Sequence, residues 1–366
     1  MVYIFFFILL IWGFTVNLKS KRLGYLFFVI FVLWLIMGFR SKNMGFDTPS
    51  YVDDFFTFSR MSFSQIIQGV SGRGKIEPLY SLVSWFVSQF SNSYSSFLLV
   101  WALFPAVGMY VFFRRNLSGS FEYAIALFVL FMTGLFAFFV TGIRQTAAIS
   151  VLLIGYTYFN KIRANGQNKL LFDTNLWKFI LCLFIAYLCH NTSVVFILII
   201  PLSFVRFRWW YLLIAASSYV LSQYVQLDFI RTISALLFAD RYSQYGDWYD
   251  AQLSMAGFFM QLIMTLICAM KIKTLVKIDK ENNLIMNIML LGLIFQSLTG
   301  IMADLSRVSY YFTSFSMLLV PRSLSLIRNT QVGKLFTIMF VILCLVYLFF
   351  LSSANLPEYE SSISWL

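Results

Sequence analysis

A chain of 366 residues that is 60% hydrophobic and 20% aromatic, with 11% charged residues and a mean hydropathy of +0.80, cannot fold as a water-soluble globule. Its net charge of +12 comes from basic residues that fall between apolar runs, the pattern of topology signals for an anionic inner leaflet and not of a nucleic-acid binder. The composition predicts an all-α polytopic membrane protein, one transmembrane domain over residues 1–366.

The first apolar run, 1–18, is followed by Lys19, Lys21 and Arg22 and not preceded by positive charge. That is the reverse of a cleavable signal peptide, so a retained span is expected. A second run, 23–39, leads into a long polar connection from Arg40 to Glu77. There Gly45-Phe46-Asp47-Thr48 suits a turn that aims Asp47 back at the membrane, with Asp53 and Asp54 facing water. Gly69, Gly72 and Gly74 follow no strand and are loop glycines, not a nucleotide fingerprint. Glu77-Pro78 suits a helix start, where a carboxylate is favoured and proline loses no hydrogen bond; as a cap, Glu77 needs no other function. The segment it opens, Pro78 to Phe90, would reach about 20 Å across a hydrocarbon core of about 30 Å, so it is expected to re-enter or to lie in the interface.

Runs 97–113, 121–140 and 143–160 follow. Arg144 comes just after Thr141-Gly142, where its guanidinium and the free N–H groups of a first helical turn would together hold an anion such as a phosphate. Snorkelling to the headgroups is the plain alternative. Runs 176–189 and 191–205 are separated by His190-Asn191-Thr192-Ser193, which contains the chain's one histidine. The short helix before it spans only about 21 Å. His190 is thus expected recessed in a cavity as a proton acceptor or anion ligand, unless it is a structural residue held by a backbone carbonyl; Asn191 suits a helix cap.

After run 209–226, the second long connection, Leu227 to Asp250, carries Arg241-Tyr242 with Tyr245 and Trp248. Aromatic faces beside a cation suit a sugar ring as well as a membrane interface. The last runs are 251–270, 283–303, 306–321 and 335–353. Arg307 lies near the start of one of them, with Asp304 close enough for a local ion pair and Tyr310-Tyr311 just after. Cys182, Cys189, Cys268 and Cys344 sit in apolar runs without metal-ligand spacing. Twelve crossings would put eighteen basic residues on one set of connections and nine on the other. The richer set is then cytoplasmic, both termini are external, and the outer connections 40–77 and 227–250 carry the polar chemistry.

The ordered set Phe39-Arg40, Gly45-Phe46-Asp47, Tyr51, Glu77-Pro78-Leu79-Tyr80, Ile143-Arg144-Gln145, His190-Asn191-Thr192-Ser193, Arg241-Tyr242 and Arg307 with Tyr310-Tyr311 resembles the EpsG family of bacterial exopolysaccharide proteins, related to Wzy-type O-antigen and capsule polymerases. Where that family has Gly-Thr-Asp in the first loop, this chain has Gly45-Phe46-Asp47. The resemblance implies a GT-C-like bundle in the bacterial cytoplasmic membrane, its site facing outward. It would polymerise undecaprenyl-diphosphate-linked repeat units by an inverting transfer with no cofactor and no metal. Arg144, His190 and Asp47 are then the catalytic candidates. His190 or Asp47 would take the proton of the acceptor hydroxyl, and Arg144 would stabilise the diphosphate. Arg40, Glu77, Arg241, Tyr242, Arg307 and Tyr311 would bind diphosphate and sugar. The implied partners are the lipid-linked glycans, the bilayer and a chain-length regulator protein. Three alternatives stay open: an O-antigen ligase with the same donor, a dolichyl-phosphate-type transferase using Asp53-Asp54, and a lipid-linked oligosaccharide flippase. A transporter would favour midplane charges and related halves, and no internal repeat stands out.

Overall fold

Apolar runs of this length must satisfy their own backbone inside a bilayer, which leaves helix as the available form. A computed structural model describes residues 2–15, 22–72, 77–165, 173–224, 255–299, 304–351 and 359–362, and the protein is all-helical. The helices are α1 (Val2–Thr15), α2 (Arg22–Gly38), α3 (Thr48–Ser59), α4 (Phe63–Gly72), α5 (Pro78–Ser88), α6 (Tyr94–Asn116), α7 (Ser120–Met132), α8 (Leu135–Thr141), α9 (Ile143–Asn165) and α10 (Thr174–Cys189). A 3-10 segment, Asn191–Leu198, then leads to α11 (Ile199–Leu202), α12 (Tyr211–Tyr224), α13 (Met255–Ile278), α14 (Glu281–Ser297), α15 (Asp304–Thr313), α16 (Ser316–Ile327) and α17 (Gln331–Val346). Two compact units result: residues 1–197 with 324–366, and residues 198–323.

In the first unit α7 is buried along its whole length and packs with α1, α2, α8 and α17. A helix apolar on every face belongs in such a centre. Around it α2 packs on α6, α6 on α9, and α9 on α10. In the second unit α14 is the hub, touching α11, α12, α13 and α15. Its core joins Ala215, Phe258, Leu290 and Leu293, with Tyr219 stacked on Phe258 at 4.4 Å.

The helices depart from the predicted runs in ways the side chains explain. Run 121–140 is not one straight crossing: α7 and α8 meet at a 66° bend. Gly134 there adopts φ +72°, a left-handed conformation that ends a helix and that glycine enters without a Cβ penalty. Run 306–321 splits at Ser314–Phe315 into α15 and α16. The connection 40–77, expected on the outer face, contains helices α3 and α4. Tyr94–Asn116, Gly257–Ile278 and Gln331–Phe349 are long and apolar enough to cross a membrane alone, and the bent α7–α8 pair makes a fourth. Arg22–Gly38, Thr174–Cys189, Asn191–Leu202, Tyr211–Ser222 and Ser316–Ile327 are apolar but shorter. The second long connection, 227–250, lies outside the described residues.

Candidate functional site

Helices α9 and α10 form an antiparallel pair. Phe159 packs on Phe179 at 5.1 Å, Lys178 lies over Tyr158 at 5.6 Å, and Gly155 lies against Cys182. Residue numbers rising on α10 as they fall on α9 bring the start of α9 and the end of α10 to one end of the pair. Arg144 is in the first turn of α9. His190 follows α10 in extended conformation, its N–H donating to the Ala186 carbonyl at 2.9 Å.

Glu77 joins them. Pro78 starts α5, and Glu77 holds the cap position in extended conformation with no side-chain capping bond. Proline makes that helix start acceptable without help from the preceding side chain, and the carboxylate is used elsewhere. Arg144 Nη1 donates to Glu77 Oε2 at 2.6 Å, and His190 Nδ1 lies 2.7 Å from Glu77 Oε1. The simple capping role expected for Glu77 is therefore corrected: it is the centre of a three-residue cluster, only 7% exposed. Burial pushes its carboxyl up, but the His190 hydrogen bond and the Arg144 charge outweigh burial and hold it below the usual value. An ionised carboxylate has no proton to give, so the imidazole donates from Nδ1, and in the neutral ring Nε2 is the nitrogen able to accept a proton.

The walls of the site come from α3 and α5. Tyr51 on α3 and Tyr80 on α5 meet edge to face at 5.6 Å, and the Arg144 guanidinium lies 5.4 Å and 5.3 Å from their ring centres. The Tyr51 hydroxyl also hydrogen-bonds Arg144. Tyr80 donates to Asp54 Oδ2 at 3.0 Å and packs on Trp101, whose Nε1 donates to Ser84 at 3.3 Å. Two π faces, one carboxylate and one phenol fix the guanidinium in place. Its buried Nε keeps no hydrogen-bond partner, so the cation retains donor capacity beyond Glu77.

Asp54 corrects a second expectation. Only Asp53 is exposed; Asp54 is half-buried, and burial raises its carboxyl despite the opposing Tyr80 bond and Arg144 charge. The sequence signal for Tyr80 is its place three residues after Glu77, in the first turn of α5. Asp47 holds the cap position of α3, half-buried and without a side-chain capping bond, just beyond a turn in which Gly45 has φ +92° and lies against Thr141. Thr48 Oγ1 donates to the Val140 carbonyl at 3.2 Å, tying this turn to the end of α8, next to Arg144.

Arg40 is sealed and not open: it is 1% exposed, Nη1 donates to the Met37 carbonyl, and Nε and Nη2 have no hydrogen-bond partner. Burial brings its guanidinium down to about 10. Arg307 and Tyr311 lie on α15 of the second unit, half-buried and buried respectively. Arg241 and Tyr242 lie outside the described residues. The structure thus brings together Glu77, Arg144 and His190, with Tyr51, Tyr80 and Asp54 added.

Comparison with protein families matches the model described as the EpsG family over residues 23–363. No curated protein and no solved structure matches the chain.

Proposed function

We propose that this chain, which belongs to the EpsG family of Wzy-like polysaccharide polymerases, elongates a glycan at the Glu77–Arg144–His190 cluster, from a polyprenyl-diphosphate-linked donor such as undecaprenyl diphosphate. The observation that carries this is one buried carboxylate bridging a cation and an imidazole, in a helical membrane protein. The chemistry divides cleanly between them. His190 Nε2 takes the proton of the acceptor hydroxyl as its oxygen attacks the anomeric carbon. The bond from that carbon to the diphosphate oxygen breaks, and its electron pair leaves on the diphosphate, where Arg144 meets the growing charge. Glu77 keeps Nδ1 protonated, so that Nε2 is the basic nitrogen. One displacement on one face of the sugar inverts the anomeric centre, and the leaving charge is carried by a side chain, without a metal.

The site belongs, on this proposal, to the outer face of the cytoplasmic membrane in a twelve-crossing bundle with both termini outside. Pairing of Glu360–Ser362 with Phe39–Ser41 supports a C-terminus on the same side as the first outer connection. The shorter apolar helices supply the crossings beyond those long enough alone.

Arg144→Ala and His190→Ala are each expected to leave folded protein in the membrane while chain growth stops, read as lipid-linked single repeat units on a glycan gel. Polymer of ordinary length in either variant removes that residue from the mechanism. A ligase would instead leave chain growth intact in a deletion strain and abolish transfer to the final acceptor.

A further inference from the structure

Helices α2 and α6 of the first unit run antiparallel. Phe27, near the start of α2, meets Tyr110, near the end of α6, edge to face at 6.4 Å, while Trp34 Nε1 donates to the Leu99 carbonyl at 2.9 Å. Between the two helices lies a groove of about 330 Å³, within the range of about 300–1,000 Å³ usual for ligand sites. Phe27, Phe31 and Trp34 line it from α2, and Leu103, Val107 and Tyr110 from α6, while Ala106 adds only a methyl group. Phe27 stacks on Phe31 at 6.1 Å and Phe31 lies 5.6 Å from Trp34, so one wall is a continuous row of rings. Phe27 is 61% and Val107 50% exposed, so among the described residues the groove is open.

One end of it is positive. Arg114 follows Tyr110 by four residues, on the same face of α6, and its guanidinium lies 6.0 Å from the Tyr110 ring centre. Arg115 lies over Tyr158 at 5.2 Å and donates to Thr157 at 2.6 Å, and Lys178 approaches the same Tyr158 ring at 5.6 Å. Arg22, at the start of α2, donates to the Ser118 carbonyl. The nearby carboxylates are engaged by neutral groups: Glu122 accepts from Ser118 and Ser325, and Asp173 from Asn175. The helix dipole alone would explain cations in the last turn of α6. It does not explain a row of rings that leads to one of them.

Lipid tails are as apolar as these side chains, so burying hydrocarbon gives the groove no advantage over bulk bilayer. What remains is contact with fixed ring walls and the attraction of a headgroup to the cations at the end. We propose that the α2–α6 groove binds a phospholipid of negative headgroup charge, one acyl chain between the rings and the phosphate at Arg114. In the proposed topology this end faces the cytoplasm, where the leaflet is anionic. The inference goes beyond the transfer reading and stands apart from it, because none of these residues belongs to the Glu77–Arg144–His190 cluster.

The test uses the full-length protein, stripped of lipid in detergent and titrated with phosphatidylglycerol or phosphatidylcholine, with bound lipid counted by native mass spectrometry. Phosphatidylglycerol should bind about fivefold more tightly, the scale of one basic side chain at an anionic headgroup; equal affinity overturns the proposal. Arg114→Gln should remove that preference. Val107→Trp, which fills the groove from its exposed rim, should weaken binding of both lipids. A preference that survives the first change, or binding that survives the second, overturns the proposal. Phosphatidylglycerol brominated on one acyl chain should quench tryptophan fluorescence in the parent protein and less in Trp34→Phe, whereas equal quenching places the lipid elsewhere. Undecaprenyl phosphate at equal concentration should leave phosphatidylglycerol in place. Its displacement would make this a groove for the lipid carrier and overturn the assignment to a phospholipid.

Discussion

Replacing Glu77 with glutamine separates its charge from its shape. The amide oxygen can still accept from Arg144, but the NH2 group must then face His190 and turns Nδ1 into an acceptor. The ring proton moves to Nε2, and the base is lost. Glu77→Gln should lower turnover by roughly 10²–10⁴, the range that general-base catalysis contributes, as measured by repeat-unit incorporation; an ordinary rate would sink the assignment of His190 Nε2. Glu77→Ala leaves Arg144 and His190 both unpaired and should cost about 2–3 kcal/mol, toward the low side for a broken buried pair because Arg144 is partly exposed. The sign of the pH dependence follows from the lowered carboxyl. A group whose folded value lies below the ordinary value of 4.5 binds fewer protons folded than unfolded. Its stabilisation is complete above that ordinary value and disappears as pH falls through the folded one. Unfolding midpoints of the parent protein should therefore drop in acid more steeply than those of Glu77→Gln.

At the level of elements, three of the cluster's determinants were readable one at a time. Arg144 after Gly142 marks a helix start, His190 interrupts an apolar stretch, and Glu77-Pro78 opens a helix. Their convergence was not readable, because it depends on α5 packing against α10 and α3 at once, a tertiary fact no local spacing encodes. The same packing buries Asp54, which the sequence assigned to water. Local chemistry also hid the break after Met132: an apolar run gives no periodicity signal, and only the φ of Gly134 separates one straight span from a bent pair. The turn before α3 gives the sharpest test at this scale. Gly45 has φ +92°, and a Cβ there would come 2.8 Å from Thr141 Cγ2 and 3.2 Å from Thr48 Oγ1. Gly45→Ala should destabilise by about 1–3 kcal/mol through left-handed strain and that contact. It should also lower turnover, since Thr48 and Thr141 lie between the turn and Arg144. A variant with parental stability and rate would show that the turn does not set the site.

For the whole molecule, the proposed topology rests on charge as well as on length. Four spans are long enough by themselves; the proposed twelve-crossing bundle, from which the eighteen-to-nine split of basic residues follows, adds the shorter helices as crossings and leaves α5 out. Helix α5 has 11 residues, about 16 Å of rise against a core of about 30 Å. If it did cross, every connection from Arg114 and Arg115 onward would exchange sides, which would part the later basic connections from Lys19, Lys21 and Arg22. The exposed residues Asn43 and Asn92 flank the segment that contains α3, α4 and α5, and Lys280 is exposed between α13 and α14. In a variant with Cys182 replaced by alanine, the remaining native thiols are buried. Single cysteines at 43, 92 and 360 should then all react with a membrane-impermeant maleimide in intact cells. A cysteine at 280 should react only after permeabilisation. Labelling at 43 but not at 92 would mean that α5 spans the bilayer, and every later connection would exchange sides. Labelling at 43 but not at 360 would contradict the pairing of Phe39–Ser41 with Glu360–Ser362, because those backbones can meet only on one side of the membrane.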